Sequence, residues 1–396
     1  MKVAPRRPQM LEFIRSRRFA VVVFHSIIPP YLLEQLERSA GDPSLRARYR
    51  QSLQHDAVLR TRPAAPAPTA VSAGPVDAPG GRQRKVYDAH NGTDLPGALV
   101  RSEGDDPVKD TAVNQAYDGT GATWTLYKEC YGRDSIDGNG LVLTSTVHYD
   151  RAYANAFWNG AQMVFGDGDG EIFGNFTAAI DVTGHELTHG VTQYTANLAY
   201  EGQSGALNES ISDVFGSLTK QYALGQSAAQ ADWLIGAGLF LPGVKGVALR
   251  SMKAPGTAYD DPRLGKDPQP ATMSGYVDTS DDNGGVHINS GIPNHAFYLA
   301  ATGIGGNAYD DAGKIWYATL TSGTLPATAG FKDFAAATQA AAQTLFGADT
   351  PQLAAVTKAW QTVGVLDDST PLMNAAQSGL HPSPPVSPPP ESTPSH

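Results

Sequence analysis

The sequence predicts an α+β protein in which a β-rich unit is followed by an α-helical unit, with a small segment in front of both. Three observations support this fold class. At 396 residues the chain is too long for one compact core. Its apolar residues alternate up to about residue 180 and take a helical spacing after Asp181. A stretch rich in Ala, Pro and Gly, residues 56–85, separates both units from the N-terminal segment.

The N-terminal segment, residues 1–55, is predicted to be small and structured. FAVVVFHSI is typical of a strand and PYLLEQLERSA of a helix that begins at proline. Residues 1–62 contain 12 Lys and Arg against 5 Asp and Glu, whereas the whole chain has a net charge of -10. The segment should therefore be attracted to the acidic remainder, although a basic tail for nucleic acid would give the same count.

Composition also excludes some partners. The net charge of -10 argues against nucleic acid, which needs clustered Lys and Arg. The apolar run Phe19–Phe24 is too short for an export signal and lacks a small-residue cleavage site, so we expect no Sec signal peptide. No apolar run is long enough to span a membrane, and we expect no membrane partner. The single cysteine, Cys130, allows no intrachain disulfide.

Four further units follow the N-terminal segment. Residues 56–85 are predicted to be a cleavable linker whose last residues, Arg82–Lys85, offer exposed basic cleavage points. Residues 86–180 are predicted to be β-rich, from patches such as ATWTLYKECYG and GLVLTSTVHYD. Residues 181–367 are predicted to be helical, and residues 368–396 form a Pro/Ser-rich tail that we expect to be solvated rather than an SH3-type ligand. The predicted helices are Val182–Thr195, Ala206–Leu224, Gly291–Ala301, Asp310–Thr321, Phe331–Leu345 and Thr350–Val363.

The first of these helices carries a candidate metal site. His185 and His189 are four residues apart, so both imidazoles lie on one helix face and can bind one ion. Glu186 lies about 100° around the helix, where it can reach a water on that ion without being a ligand. Two surface histidines would give the same five-residue pattern by chance.

The next helix supplies what a catalytic zinc site needs in addition. Glu209 is suited to be the third protein ligand, which leaves a fourth position open. Asp213 and Asn208 are suited to hold the outer ring nitrogens of the two histidines. A third histidine six residues after the second, as metzincins require, is excluded because Thr195 stands there.

Long blocks of the chain resemble the thermolysin family of neutral zinc metalloproteases across roughly residues 85–365. The block HELTHGVTQYTANLAYEGQSGALNESISDVFG carries the resemblance, and NAFWNGAQMVFGDGDG, LRSMKAP and DNGGVHINSGIPNHAFYL follow the family's order. The resemblance implies a two-domain metalloprotease with the zinc-site helix between the domains. SIIPPYLLEQL resembles the prosegment of the protealysin-like subgroup, which implies an intramolecular inhibitor and folding aid.

The same resemblance implies roles for named residues. The ligands of one catalytic zinc would be His185, His189 and Glu209, with Glu186 as the base. His287 and Tyr200 would donate hydrogen bonds to the oxyanion, and Asp282 would orient His287. Arg250 would hold a substrate carbonyl, while Asn155 and the backbone of Ala156 would align the peptide as an added strand. The pocket for the residue after the scissile bond would be lined by Phe173, Phe176, Val182, Ile235, Leu239 and Leu249, which implies cleavage before Leu, Phe, Ile or Val.

The chain departs from thermolysin at its double calcium site. Asp181 and the aligned Asp232 are acidic, but Lys220, Leu234 and Ala237 stand where acidic ligands would be. A lysine disfavours a Ca²⁺ pair, so we predict that this double site is absent and leave single calcium sites open. The GDGDG stretch at 166–170 is interpreted as a tight turn.

The predicted function is a zinc-dependent endopeptidase made as a zymogen, with protein and peptide substrates and its own prosegment as partners. The alternative is an inactive zinc-binding relative that acts as an interaction module. We expect a monomer. The resemblance implies secretion, although the missing Sec signal leaves the cytoplasm as the alternative. For His25 two interpretations stay open: a turn residue, or a side chain that approaches the zinc and keeps the enzyme latent.

Overall fold

The structure, a computed structural model, describes residues 25–61 and 81–367. Within these two ranges no helix combines the length and apolar character needed to cross a membrane. The predicted strand in FAVVVFHSI is described only from His25 onward. The Pro/Ser-rich tail and most of the predicted linker lie outside the described residues.

One mixed sheet lies in the first half of the larger unit, residues 81–367, and takes one strand from the N-terminal segment. Its strands are β1 (His25–Ser26), β2 (Arg84–Asp88), β3 (Ala98–Ser102), β4 (Leu143–Val147), β5 (Ala156–Trp158) and β6 (Met163–Phe165). Their spatial order is β1-β5-β6-β4-β2-β3, in which β4 runs parallel to β2 and β6 and the other neighbours are antiparallel. The edge strand β1 therefore comes from the N-terminal segment.

The rest of that segment forms two helices, α1 (Pro30–Ser39) and α2 (Pro43–Thr61). The predicted proline start of α1 is confirmed, and its buried face consists of Leu32, Leu33 and Leu36. Helical structure continues to Thr61, six residues beyond the predicted boundary at residue 55. The α2 helix is tied to the larger unit by the Tyr49 hydroxyl, which donates to Asp169 over 2.9 Å.

A long helix, α3 (Thr111–Tyr131), corrects part of the β-rich prediction. ATWTLYKECYG was predicted as alternating strand but forms the second half of this helix. Asp110 caps the N-terminus by accepting from two backbone N–H groups, and Gly132 ends the helix with φ 68°. The helix packs against β2, where an apolar stripe at helical spacing, from Ala112 through Ala116 to Leu126, is buried.

The predicted exposed cleavage points at Arg82–Lys85 are also corrected. Arg84 and Lys85 belong to β2, which lies inside the sheet between β3 and β4. The Arg84 guanidinium is 4% exposed and makes two 2.6 Å contacts to the Glu103 carboxylate. Backbone that is hydrogen-bonded on both sides resists proteolysis, so processing is expected further upstream in the linker.

The C-terminal half is helical, as predicted. Its helices are α4 (Ile180–Gln193), α5 (Gly202–Leu224), α6 (Asp282–Asn289), α7 (Gly291–Ile304), α8 (Asp311–Thr321), α9 (Phe331–Phe346) and α10 (Pro351–Thr362). All six predicted helices are confirmed, whereas α6 was not predicted. Two short hairpins lie between α5 and α6: β7 (Leu234–Ile235) with β8 (Arg250–Ser251), and β9 (Asp260–Asp261) with β10 (Gly265–Lys266).

The helices α4 and α5 lie unusually close together. A Cβ atom added at Gly216 would come within 2.4 Å of the Asp181 carbonyl oxygen, and one at Gly184 within 3.0 Å of the Gly216 Cα. Every residue of α4 from Asp181 to Thr192 is buried. This close approach brings the side chains of the two helices to one point between the sheet and the helical half.

Candidate active site

Two histidines of α4 meet at the centre of the molecule. The Nε2 atoms of His185 and His189 lie 3.1 Å apart, and both side chains are fully buried. Burial, reinforced by the neighbouring His25, lowers the pKa of His189 well below its ordinary value. A neutral imidazole offers a lone pair, which is the form that binds a metal.

Glu209 of α5 completes the group. Its Oε2 lies 3.5 Å from the His185 Nε2 and its Oε1 lies 3.5 Å from the His189 Nε2. The Tyr200 hydroxyl also donates a hydrogen bond to this carboxylate. Three ligand atoms from two helices therefore converge on one buried position.

The outer nitrogens of both histidines are held by α5. The Nδ1 of His185 is 2.8 Å from the Asp213 carboxylate, and the Nδ1 of His189 is 2.9 Å from the Asn208 Oδ1 and 3.0 Å from the Ser212 hydroxyl. An N–H at Nδ1 satisfies these acceptors and leaves each Nε2 with a lone pair aimed at the other ring. Asp213 is ionised, because the Arg250 guanidinium and His185 outweigh burial and hold the pKa of this carboxyl well below its usual range.

This group fits a zinc ion. Two facing lone pairs repel each other unless a cation lies between them, and the buried Glu209 Oε2 makes no hydrogen bond within the described structure. With bonds of about 2.0–2.1 Å, a tetrahedral zinc holds its ligand atoms roughly 3.3 Å apart. The observed separations of 3.1 and 3.5 Å match that requirement.

Glu186 lies beside the group without joining it. Its Oε2 accepts a 3.0 Å hydrogen bond from the backbone N–H of Trp158 in β5, while its Oε1 is buried and makes no hydrogen bond within the described ranges. Burial raises the pKa of Glu186 well above its ordinary value, and the nearby Glu209 carboxylate raises it further. A carboxyl group with a raised pKa is suited to accept a proton and return it.

The helix α6 and the segment before α5 supply two donors. The His287 Nε2 lies 3.2 Å from the Tyr200 hydroxyl, and its Nδ1 lies 2.7 Å from Asp282. Burial lowers the pKa of His287, but the Asp282 and Glu209 carboxylates outweigh it, so that the pKa is raised. The ring is therefore positioned as a donor toward the cleft. Left-handed backbone at Asn283, Gly284 and Gly285 forms the turn that brings Asp282 back to the ring.

The N-terminal segment occupies the cleft as an added strand. The Ile27 N–H donates to the Ala156 carbonyl over 3.1 Å, and the Arg250 Nη1 donates to the Ile27 carbonyl over 3.3 Å. Asn155 contacts the next residue twice, accepting from the Ile28 N–H over 2.9 Å and donating to its carbonyl over 3.2 Å. The residues expected to align a peptide are therefore those that bind this segment.

The six apolar residues assigned to a pocket are all buried. The Phe173 and Phe176 rings lie 5.7 Å apart, and the Leu249 N–H donates to the Ile235 carbonyl over 2.9 Å. All six belong to the same contiguous apolar cluster as Ile27; they are Phe173, Phe176, Val182, Ile235, Leu239 and Leu249.

His25 lies against the metal group, meaning His185, His189 and Glu209. This position favours the interpretation that His25 approaches the zinc over the interpretation that it is a turn residue. Its ring stacks on that of His189 with a centroid separation of 4.0 Å and an angle of 9°. The Tyr200 ring meets it edge-on at 4.4 Å. One candidate ligand atom each from His25, His189 and Glu209 lie within 4.8 Å of one another. A turn histidine in solvent would make none of these contacts.

A lysine stands at the position expected for calcium ligands. The Lys220 Nζ lies 3.3 Å from Asp181 and 2.8 Å from Asp232. Its ammonium group therefore pairs with one carboxylate in α4 and one just before β7. In the GDGDG stretch, Asp169 accepts hydrogen bonds from three successive backbone N–H groups, Glu171 to Phe173, which confirms the predicted turn.

Three contributors were not assigned a role from the sequence. Ser212 contacts the His189 ring, and Asn294 donates to Asp213 over 2.8 Å. The Trp158 contribution is a backbone N–H, for which no side-chain pattern exists. The role of Ser212 could have been predicted from the sequence, because this residue lies one helical turn from Asn208 and Glu209.

Comparison with known families covers nearly all the described chain. The profile described as the thermolysin metallopeptidase catalytic domain matches residues 77–193, and that of its α-helical domain matches residues 196–365. The protealysin propeptide profile matches residues 25–67.

Individual relatives agree with these matches. An extracellular metalloprotease of Pectobacterium carotovorum subsp. carotovorum is 50% identical over 342 residues, which are 86% of this chain and 96% of that protein. The thermolysin of Alicyclobacillus acidocaldarius subsp. acidocaldarius is 44% identical over 290 residues, 71% of this chain and 50% of that protein. The solved precursor of protealysin from Serratia proteamaculans superposes with a TM-score of 0.79 at 51% identity, covering 86% of this chain and all of that one.

Proposed function

Because the chain belongs to the thermolysin family of metallopeptidases and carries a protealysin propeptide, we propose that Glu186, His287 and Tyr200 perform its peptide hydrolysis beside a single zinc held by His185, His189 and Glu209. The protein is a thermolysin-like neutral metalloendopeptidase made as a propeptide-containing precursor. The observation that carries the proposal is the convergence of three side chains beside the buried Glu186 carboxyl: the two histidine Nε2 atoms lie 3.1 Å apart, and each lies 3.5 Å from one oxygen of Glu209.

The proposed roles follow from position and charge. When bound, zinc polarises the peptide carbonyl and acidifies the attacking water. Glu186 takes the proton of that water and passes it to the leaving amine, a task for which its raised pKa suits it. His287 and Tyr200 donate hydrogen bonds to the oxygen that gains negative charge, and Asp282 keeps the His287 ring oriented and cationic.

Substrate selection is proposed to rest on two sets of contacts. Asn155, Ala156 and Arg250 hold the substrate backbone as an extra strand beside β5, which fixes the register without reading side chains. The buried cluster that contains Phe173, Leu239 and Leu249 then accepts one large apolar side chain. We propose cleavage on the N-terminal side of Leu, Phe, Ile or Val. Profiling of a peptide library by mass spectrometry tests this preference.

For the calcium position we propose that Lys220 acts in place of the bound ions. Its ammonium group lies within 3.3 Å of Asp181 and Asp232, and a divalent cation there would meet a like charge. Single calcium sites elsewhere are not part of this proposal.

We propose that the protein acts outside the cell as a monomer. The relative from Pectobacterium named an extracellular metalloprotease supports export. Cell fractionation and size-exclusion chromatography test the compartment and the oligomeric state, and cytoplasmic retention of the precursor would favour the alternative.

The proposed mechanism is tested with wild type and Glu186→Gln, and with Glu201→Gln as a matched control at an exposed carboxylate. Zinc content is measured by atomic absorption and casein digestion on gels, with and without a chelator. We expect Glu186→Gln to keep its zinc and to lose about 100-fold or more in activity, whereas the control keeps both.

Equal digestion by wild type and Glu186→Gln would show that Glu186 is not the base. Normal zinc without any digestion by the processed wild type would favour the interaction-module alternative. A wild type that binds no zinc would contradict the whole proposal.

A further inference from the structure

We infer that the Ser26–Ile27 peptide bond of the prosegment lies in the register of a bond to be hydrolysed, and that His25 keeps this bond intact. The inference rests on the proposed function, because it assigns the prosegment to the same backbone contacts as a substrate. It goes beyond that function by naming an internal cleavage site and the side chain that protects it.

The C-terminal side of the bond is bound as the leaving half of a substrate would be. The Ile27 N–H donates to Ala156 and its carbonyl accepts from Arg250. Asn155 then contacts both the N–H and the carbonyl of Ile28. Four hydrogen bonds on two successive residues fix the chain along β5, so the register cannot slip by one residue.

The side chain after the bond has the required chemistry. Ile27 is fully buried and belongs to the apolar cluster that includes Phe176 and Leu239. A large apolar residue directly after the bond is the proposed specificity of this site. The bond before Ile27 therefore matches that preference.

The carbonyl of the bond lies at one of the two proposed donors, and that donor contacts the other. The Ser26 carbonyl oxygen is 3.3 Å from the His287 Nε2, and that nitrogen is 3.2 Å from the Tyr200 hydroxyl. These are the two groups proposed to stabilise the oxyanion. The antiparallel pairs His25–Trp158 and Ser26–Phe157 extend the strand on the other side of the bond.

His25 explains why the Ser26–Ile27 bond is not hydrolysed in the precursor although it lies in the register of a substrate. Its imidazole stacks on His189 at 4.0 Å and lies in the group of potential metal-binding atoms with His189 and Glu209. Imidazole nitrogen is a good zinc ligand, and a catalytic site needs one position open for water. An imidazole directed at that position excludes the attacking water while the backbone stays in register.

Removal of the imidazole should turn the inhibitor into a substrate. Water then adds its oxygen to the Ser26 carbonyl carbon, Glu186 transfers the proton of that water to the Ile27 nitrogen, and the C–N bond breaks. The products are a carboxylate at Ser26 and a new amino terminus at Ile27.

The test uses the full-length precursor with His25→Ala, and His55→Ala as a matched control. His55 is also a prosegment histidine, but it contacts Tyr149 and Asp150 away from the metal group. Intact mass and N-terminal sequencing should find the new terminus at Ile27 in His25→Ala alone. In the double variant with Glu186→Gln, this cleavage should disappear.

A second readout does not depend on hydrolysis. In the Glu186→Gln background, cobalt is substituted for zinc and its visible absorption is recorded for precursors with His25, with His25→Ala and with His55→Ala. We expect the spectrum to change with His25→Ala only, and a chelator to remove the metal about 10-fold faster or more. The same spectral change should follow when trypsin removes the prosegment from the Glu186→Gln precursor, a comparison that needs no mutation at His25.

The outcomes of these experiments distinguish failure of this inference from failure of the proposed function. An intact Ser26–Ile27 bond and an unchanged cobalt spectrum in His25→Ala, in a preparation that still digests casein after processing, would overturn this inference and leave the proposed function standing. A wild type that neither binds zinc nor digests casein would overturn both.

Discussion

At the scale of single residues, Lys220 forms ion pairs with two carboxylates, Asp181 and Asp232. Asp181 is 2% exposed, and its burial raises its pKa although Lys220 opposes the shift. The pKa of Lys220 is raised in turn, because Asp181 and Asp232 outweigh the burial of its ammonium group. The pair therefore holds the first turn of α4 against the C-terminal end of α5.

We predict that Lys220→Met lowers the free energy of unfolding by about 2–3 kcal/mol at pH 7, because it leaves the buried Asp181 carboxylate without its counter-charge. The loss should shrink at acid pH, where Asp181 takes up a proton. Urea unfolding of the Glu186→Gln protein measures this without autolysis. Lys358→Met, at an exposed lysine of α10, is the control, and an equal loss in both variants would contradict the role of the ion pair.

His148 forms a second charged bridge, outside the active site. Its Nδ1 lies 2.8 Å from Asp167 and its Nε2 lies 2.9 Å from Asp110. The hydrogen bond to Asp167 is the main cause that raises the pKa of His148 to about 9. Asp110 is also the N-cap of α3, so the bridge connects that helix to the loop after β6.

The raised pKa fixes the direction of a pH effect. Since the pKa of His148 is about 9 in the folded protein and about 6.5 in an unfolded chain, its stabilisation is complete below about pH 6.5 and is lost as the pH rises through 9. We predict that His148→Gln costs about 1–2 kcal/mol at pH 6, allowing for solvent screening, and nearly nothing at pH 10.

Urea unfolding in the Glu186→Gln background at pH 6, 8 and 10 measures this difference. His90→Gln, at a histidine whose side chain is 71% exposed, is the control. A His148 effect that grows with pH would contradict the assignment.

At the scale of elements, the α4–α5 pair decides whether the site exists. Gly184 and Gly216 let the two backbones approach, and the three proposed ligands come from these helices. Glu209 lies seven residues before Gly216 on α5. A separation of the helices would therefore move one ligand away from the other two.

We predict that Gly216→Ala costs more than about 2 kcal/mol, because the new methyl group would lie 2.4 Å from the Asp181 carbonyl oxygen. Zinc should also be lost more readily to a chelator. Melting temperature and chelator kinetics test both effects. Gly303→Ala in α7 is the control, since its nearest neighbour is a methyl carbon at 3.3 Å, and we expect it to be neutral. Unchanged metal retention in Gly216→Ala would show that the helices can adjust.

The helices also show which parts of the structure can be predicted from sequence patterns. Helical spacing predicts that His185 and His189 share one helix face, and that Glu209 and Asp213 share a face of the next helix, because it fixes i and i+4 neighbours locally. The α3 helix was missed over ATWTLYKECYG because Thr and aromatic residues favour strands. The buried apolar stripe of this helix begins at Ala112, well before that segment, so the segment alone does not show the helical spacing. The α6 helix was missed because its left-handed turn at Asn283–Gly285 interrupts any periodicity.

Contacts between residues that are far apart in the sequence could not be predicted from local patterns. The pairing of Ser26 with Phe157 and the stacking of His25 on His189 join residues that are more than 130 positions apart. Only the family resemblance suggested that the prosegment would lie near the site, and it did not supply the register. Register depends on which hydrogen bonds form between two particular strands, and this information is not local.

At the scale of the whole molecule, the prosegment is held at both ends. Its strand enters the cleft, while α2 places the buried Asp56 against the Tyr153 hydroxyl at 2.6 Å and the Asn155 amide at 3.0 Å. Asn155 therefore binds both parts of the prosegment at once. Detachment of α2 and detachment of the strand should be coupled through this one side chain.

We predict that Asp56→Ala loosens the entire prosegment, because hydrogen bonds to a carboxylate contribute about 1.5–3 kcal/mol each. In the Glu186→Gln background, added trypsin should remove the segment at least about 10-fold faster, followed on gels. Glu34→Gln on the exposed side of α1 is the control. Equal rates in both variants would show that the strand alone holds the segment.

The edge position of β1 has a consequence for the mature enzyme. Once β1 leaves, the backbone N–H and carbonyl groups along one side of β5 face solvent, and an open sheet edge can pair with any extended chain. A folded protein presents few free extended segments, whereas an unfolding one presents many. We therefore expect an unfolded chain to be cleaved faster than a folded one, and the prosegment covers that edge in the precursor.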